Sequence, residues 1–107
     1  MIEEVTQANL ADFLHRKPYS VIHIDANWDG HLEQIVEKIH ALEPGFEQDV
    51  SFGYIDADTE QNYAREVGVL NLPSVAYYRG DHLVGLIIGL KQDIAQNIRR
   101  VRFGGSL

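Results

Sequence analysis

Cysteine is absent from the 107 residues of this chain. Without a thiol the chain cannot form a disulfide, hold a metal through a thiolate or carry out thiol-disulfide exchange, because the thiolate is the species that attacks a disulfide. The absence says little about compartment, since it is the presence of disulfides that marks an oxidising one. Cysteine chemistry is therefore excluded, and other functions stay open.

Positive charge is also scarce. Nine Lys and Arg residues stand against sixteen Asp and Glu residues, which gives a net charge of -7. An acidic surface repels phosphate backbones and anionic lipids, so we expect neither nucleic acid nor a membrane surface as a partner unless charge is strongly segregated. The one basic cluster, Arg99, Arg100 and Arg102, closes the last helical pattern, where cations complement the helix dipole.

Long apolar runs are missing as well. No stretch approaches the about 20 apolar residues that a membrane helix needs. The first four residues, Met1 to Glu4, carry negative charge, which is unlike the start of a signal peptide. We therefore expect a cytoplasmic protein.

The length and composition predict one globular domain. Hydrophobic residues make up 45% of the chain, which is the share of a protein with a real core. We place the domain at residues 1–103 and expect residues 104–107 to form a flexible tail. The sequence predicts no cofactor and no metal, since it shows no Gly-rich phosphate loop, catalytic-triad pattern or metal-ligand spacing. His15, His40 and His82 are expected to be solvated surface residues.

Hydrophobic periodicity predicts the element order β-α-β-α-β-α-β-β-α. Strands are expected at Ile2 to Val5, Tyr19 to Ala26, Val50 to Asp56, Val75 to Tyr78 and His82 to Ile88. Thr6 is the expected cap of the first helix, a long helix follows His31, Asp58 or Thr59 is expected to cap the third, and Asp93 to Arg102 forms the fourth. An early parallel β-α-β unit and a late hairpin predict an α/β domain with a mixed central sheet flanked by helices on both faces.

A pattern of five residues, Trp28-Asp29-Gly30-His31-Leu32, follows the second predicted strand. Pro73 lies 44 positions after Asp29, and Gly89 follows the last predicted strand. Together with the element order, these residues resemble the thioredoxin family, in which a Trp-Cys-Gly-Pro-Cys motif opens the long helix and faces a cis-proline. The resemblance spans nearly the whole chain, and it implies a thioredoxin fold with a cis bond before Pro73.

The chain departs from the family pattern at the positions that carry redox chemistry. Asp29 and Leu32 stand in place of the two cysteines, and His31 replaces the proline between them. The family's buried acid, which assists proton transfer, aligns with His23, and its nearby lysine aligns with Tyr54. The resemblance therefore implies a thioredoxin-like domain that has lost redox activity.

Polar side chains remain beneath the motif. His23 and Asp25 alternate onto one face of their strand, and Tyr54 and Asp56 do the same on the neighbouring strand if the family's pairing holds. These four residues are expected to form a satisfied structural network. The alternative is an acid-base or metal site built from His23, Asp25, Asp29 and His31. Asp29 could instead accept backbone N–H bonds at the helix start, with His31 a neutral surface residue.

An apolar surface is the other part of the family site that remains. Trp28, Leu72, Pro73, Ile88 and Gly89 align with the groove that holds a substrate polypeptide in the family. Our leading hypothesis is a non-enzymatic adaptor, assembly factor or chaperone that binds another protein or an extended peptide there. Two alternatives are a non-redox enzyme or metal site using Asp29 and His31, and a structural module of a larger assembly. The alternative to a groove is that Leu72 and Ile88 complete the core. We expect a monomer or weak homo-oligomer.

Overall fold

Five strands form one mixed sheet in the order β1-β3-β2-β4-β5. The computed structural model describes residues 2–107. The strands are β1 Glu3–Glu4, β2 Tyr19–Asp25, β3 Val50–Asp56, β4 Ser74–Arg79 and β5 His82–Ile88, and the helices are α1 Leu10–Arg16, α2 Leu32–Leu42, α3 Gln61–Val67 and α4 Ile94–Arg102. A short 3-10 turn, Glu43–Gly45, ends α2 at a proline. The predicted element order and the mixed sheet are confirmed.

The strand β2 occupies the centre of the sheet. It pairs with β3 in parallel, with Tyr19 opposite Val50, and with β4 in antiparallel, with Tyr19 opposite Arg79. The crossover through α2 makes the first pairing parallel, and the short turn between β4 and β5 makes their pairing antiparallel. Six of the seven residues of β2 are buried, as expected for a strand covered on both faces.

Alternation along the strands creates two separate cores, one on each face of the sheet. One core combines Val21 and Phe52 with the buried faces of α2 and α4. The other combines Ile22 and Ile55 with α1 and α3. Because His23 follows Val21 at a spacing of two, it lies on the α2 and α4 face.

Two helix starts differ from the prediction. Asn9, and not Thr6, occupies the N-cap position of the first helix. Its side chain makes no capping hydrogen bond, and its Oδ1 instead accepts the Thr6 N–H at 2.7 Å. The third helix begins after Glu60. In both places a turn of polar residues precedes the helix, and several of its members are acceptable caps, so local propensity does not choose between them.

Of the last four residues, Leu107 packs against the domain, whereas residues 104–106 are exposed. Leu107 packs on the core between the sheet and α4, and a Cβ added at Gly85 would come within 2.7 Å of Leu107 Cβ. The Gly105 N–H donates to the Arg100 carbonyl at 2.9 Å. The flexibility of residues 104–107 stays a prediction. No helix within residues 2–107 is long and apolar enough to cross a membrane.

Candidate functional site at the carboxyl ends of the central strands

The site lies where β2 and β3 end. Their parallel register finishes with Asp25 opposite Asp56. On the other side of β2, Ile24 is opposite Ser74, and Ser74 is opposite Ile88 at the end of β5. The loops that follow β2 and β3, the turn before β4 and the end of β5 therefore meet at one edge of the sheet.

A turn and a glycine form the middle of this edge. The Leu72–Pro73 peptide bond is cis, and the Pro73 carbonyl accepts a hydrogen bond from the Gly89 N–H at 2.9 Å. Gly89 has a φ of 114°, a value that residues with a Cβ rarely adopt. A glycine is therefore required where the end of β5 turns beside Pro73.

Two polar side chains support this turn from behind. The Gln92 side-chain amide donates to the carbonyls of Ile87 and Gly89 at 2.9 and 2.8 Å. Lys38 Nζ donates to the carbonyls of Leu90 and Gln92 at 2.6 and 2.9 Å. The backbone around Gly89 is thereby tied both to itself and to α2.

Trp28 lies on the other side of the edge. Its side chain is 71% exposed, and its indole Nε1 donates to Asp58 Oδ2 at 2.8 Å. The Asp58 N–H in turn donates to Asp56 Oδ1 at 2.9 Å. Asp58 therefore anchors Trp28 and does not cap α3, and the carboxylate of Asp56 faces the loop rather than His23.

The apolar groove residues divide into exposed and packed members. Ile88 is 46% exposed, whereas Pro73 is buried and Leu72 is half-buried against the α1 and α3 core. Leu70, which sequence reasoning missed, is 82% exposed. The sequence could have pointed to Leu70 because this apolar residue belongs to no helix or strand periodicity and lies between Gly68, which ends the third helix, and Pro73.

A buried histidine and carboxyl lie beneath these loops. His23 Nε2 is 3.2 Å from Asp25 Oδ2, and both side chains are fully buried. Asp25 Oδ1 accepts the Ala26 N–H at 2.8 Å. The rings of His23 and Tyr54 are 5.4 Å apart. Within residues 2–107, His23 Nδ1 and the Tyr54 hydroxyl have no hydrogen-bond partner, so the expected polar network is only partly satisfied.

Asp29 bonds to residues before α2. Its Oδ1 accepts the His31 N–H at 3.4 Å and lies 3.1 Å from His31 Nδ1. The Leu32 N–H donates to the Asp29 carbonyl at 3.3 Å, which closes the turn. The Asp29 side chain is 12% exposed and that of His31 is 55% exposed. Only the imidazole of this pair is open to solvent.

Burial and neighbouring carboxyl groups shift the pKa values of the site. Burial lowers the pKa of His23 to about 4, so this histidine is neutral near pH 7. Burial and the neighbouring Asp29 carboxyl raise the pKa of Asp25 to about 7, and the interaction with Asp25 lowers the pKa of Asp29. Burial and nearby carboxylates raise the pKa of Tyr54 to about 12. Near pH 7, Asp25 is therefore protonated in about half of the molecules.

These contacts pair His23 with Asp25 and Asp29 with His31, and both carboxyl groups are largely shielded from solvent. The Asp25 side chain is fully buried, and the second oxygen of Asp29 is also buried. Among residues 2–107, no group of three or more His, Asp or Glu side chains is arranged to hold a metal ion. The geometry stabilises the loop that carries Trp28.

The sheet order, the cis-proline turn and the loop that opens α2 define a thioredoxin-fold domain whose catalytic positions carry no thiol. The model of the thioredoxin family matches residues 1–100, and the chain belongs to this family.

The relatives agree with this assignment. A thioredoxin of Borreliella burgdorferi is 26% identical over 112 aligned positions, which cover 97% of this chain and 96% of that protein. The solved structure of thioredoxin f from spinach chloroplast (long form) has a TM-score of 0.86 at 21% identity and covers 94% of this chain and 86% of its own. A thioredoxin f2 structure, solved in a complex of ferredoxin:thioredoxin reductase and thioredoxin f2, has a TM-score of 0.84 at 21% identity, with 94% of each chain covered.

Proposed function

We propose that this chain is a redox-inert member of the thioredoxin family that binds an extended segment of another polypeptide without catalysing a reaction on it. It would act as an adaptor, assembly factor or chaperone. The binding surface, which we call the groove, consists of Trp28, Leu70, Leu72, Pro73, Ile88 and Gly89.

The observation that carries this proposal is the exposure of three large apolar side chains at one edge. Trp28, Leu70 and Ile88 are 71%, 82% and 46% exposed. Apolar side chains that gather on a surface mark binding sites more often than isolated ones do. The thiol positions beside them are occupied by side chains that cannot attack a disulfide.

The backbone of the groove offers a second support. Leu72 lies outside the strands, and neither its N–H nor its carbonyl makes a hydrogen bond to residues 2–107. An extended segment could satisfy both groups, as a segment does when it adds to the edge of a sheet. The thioredoxin f2 crystallised with ferredoxin:thioredoxin reductase shows that a protein of this fold engages a protein partner.

An affinity purification from the native cell, repeated with Trp28→Ala and Ile88→Asp, tests the proposal. We expect both substitutions to lose the same recovered protein. Calorimetric titration of that protein should show that Trp28→Ala weakens binding by about 2 kcal/mol or more, because a partly exposed aromatic centred in an apolar patch often dominates an interface.

His82→Ala is the matched control, since this exposed residue lies at the opposite end of β5. It should bind as wild type does. Wild-type affinity in both groove variants, with circular dichroism showing them folded, would place the partner elsewhere and refute the proposal.

A further inference from the structure

We infer that the segment bound in the groove is basic and places an Arg or Lys side chain over Trp28. This inference rests on the proposed function and names the chemistry of its partner. It follows from the charges around the indole and from where the cations of the chain lie.

One carboxylate contacts the edge of the Trp28 ring, and a second is bonded to the residue that carries it. Asp58 holds the indole N–H at 2.8 Å, and Asp56 is joined to Asp58 through its backbone. No Lys or Arg of residues 2–107 lies within ion-pair distance of either carboxylate. The bond to Asp58 is made by the edge of the ring, so it does not cover the faces of the indole, and Trp28 is 71% exposed. A cation stacked on a ring face would be attracted both by the ring quadrupole and by the neighbouring negative charge.

Most cations of the chain lie away from the Trp28 side of this edge, whereas Lys38 and Lys91 lie near Gly89 on its other side. Tyr19, at the start of β2, is opposite Arg79, and its hydroxyl donates to the carbonyl of Arg102. Six of the nine basic residues therefore lie at or near the opposite end of the sheet: Arg16, Lys17, Arg79, Arg99, Arg100 and Arg102. Two of them are paired there with acids, Arg16 with Glu3 and Arg102 with Asp49.

This distribution decides between an acidic and a basic partner. The Trp28 side of the groove holds Asp56 and Asp58, and among residues 2–107 no Lys or Arg pairs with either carboxylate. An acidic segment placed over the indole would meet these two carboxylates, whereas a basic one is attracted from a distance and paired on contact. Aliphatic side chains of the same segment would contact Leu72 and Ile88 beyond the indole.

Capped eight-residue peptides test this inference directly. The first carries two leucines and two arginines, the second has glutamines in place of the arginines, and the third has glutamates. Trp28 is the only tryptophan of the chain, so its fluorescence reports on the groove. We expect the arginine peptide to bind about tenfold more tightly than the glutamine peptide, the glutamate peptide to bind least, and the preference to shrink in about 0.5 M salt.

Asp58→Asn is the decisive variant, because an asparagine oxygen can still accept the Trp28 N–H while the charge is removed. It should lose most of the arginine preference and keep the affinity for the glutamine peptide. Asp81→Asn, at the exposed turn between β4 and β5, is the matched control and should change nothing.

The outcomes separate this inference from the proposed function. Equal binding of the arginine and glutamine peptides, lost in Ile88→Asp, would overturn the basic specificity and leave the groove in use. If the purified partner of the groove carries an acidic segment, the inference is also overturned. Sedimentation showing that a second copy of the chain occupies the groove, with Trp28→Ala restoring the monomer, would overturn it in favour of self-association.

Discussion

His23 and Asp25 are in contact, and their titrations act on stability in opposite directions. The pKa of His23 falls to about 4 in the folded protein, against an ordinary 6.5. The stability that this histidine contributes is present above pH 6.5 and is lost as pH falls toward 4, because the unfolded chain takes up the proton first. The pKa of Asp25 rises to about 7, so its contribution is present below the ordinary value near 3.8 and is lost as pH rises through 7.

We therefore predict that these two slopes largely cancel in the wild type between pH 4 and 6.5. His23→Gln should leave the Asp25 slope, so that the free energy of unfolding falls as pH rises through this window. Asp25→Asn should leave the His23 slope, so that it rises. Each slope approaches about 1.4 kcal/mol per pH unit for one proton. Urea unfolding followed by circular dichroism at several pH values measures them, and two variants with the same sign of slope would contradict the assignment.

Asp29 and Leu32 replace the thiols, and restoring cysteine there tests how far the surroundings have changed. The turn that they bracket is closed by a 3.3 Å hydrogen bond, so we predict that Asp29→Cys with Leu32→Cys forms a disulfide. Reductase turnover should stay about a hundredfold or more below that of an ordinary thioredoxin, because His23 does not replace the family's proton-transferring acid.

Adding His23→Asp to the double-cysteine variant should raise turnover, while His82→Asp, at an exposed site, should not. An insulin-reduction assay compares the three. Turnover at the ordinary level without His23→Asp would show that the buried acid matters less here than the family pattern implies.

At the scale of elements, the close contact of β3 with α1 depends on a glycine. A Cβ at Gly53 would lie 2.7 Å from Val5 Cγ2 and 2.8 Å from Phe13 Cζ, and both neighbours are buried. We predict that Gly53→Ala lowers the free energy of unfolding by about 1–3 kcal/mol, because a packed core cannot make room without distortion. Gly30→Ala, with no atom within 4 Å of the new Cβ, should change it by less than about 0.5 kcal/mol. Chemical denaturation gives both values, and equal effects would refute this packing argument.

Elements could be predicted from the sequence better than their ends or the side-chain bonds between them. The buried stripe of α2 and the alternation of β2 each repeat over several residues, so both patterns identify their element. A helix start depends on a single turn. The sequence pointed to Thr6 although Asn9 occupies the N-cap position, because both residue types are acceptable there. The bond from Trp28 to Asp58 joins two loops that are distant in sequence, and no local pattern predicts it.

At the scale of the whole molecule, the fold was predictable because the spacing from Asp29 to Pro73 and the element order both agree with the thioredoxin family. The site was predictable in part, since register alone brings His23 beside Tyr54 and Ile88 beside Ser74. The raised pKa of Asp25 and the exposure of Leu70 could not be predicted, because burial is set by the packing of the whole fold. The segregation of cations was also hidden, although the basic residues that produce it are visible in the sequence.

The bonds that Lys38 and Gln92 make behind Gly89 give the two sides of the groove different mobility. Four hydrogen bonds fix the backbone on the Ile88 side, whereas the Trp28 side chain is held by its single bond to Asp58. When a segment binds as proposed, ordering the Ile88 side costs little entropy because its backbone is already fixed, whereas ordering the Trp28 side chain costs more. In the proposed complex, we expect the Ile88 side to set the alignment of the segment and the ordering of the Trp28 side chain to set how long the segment stays bound.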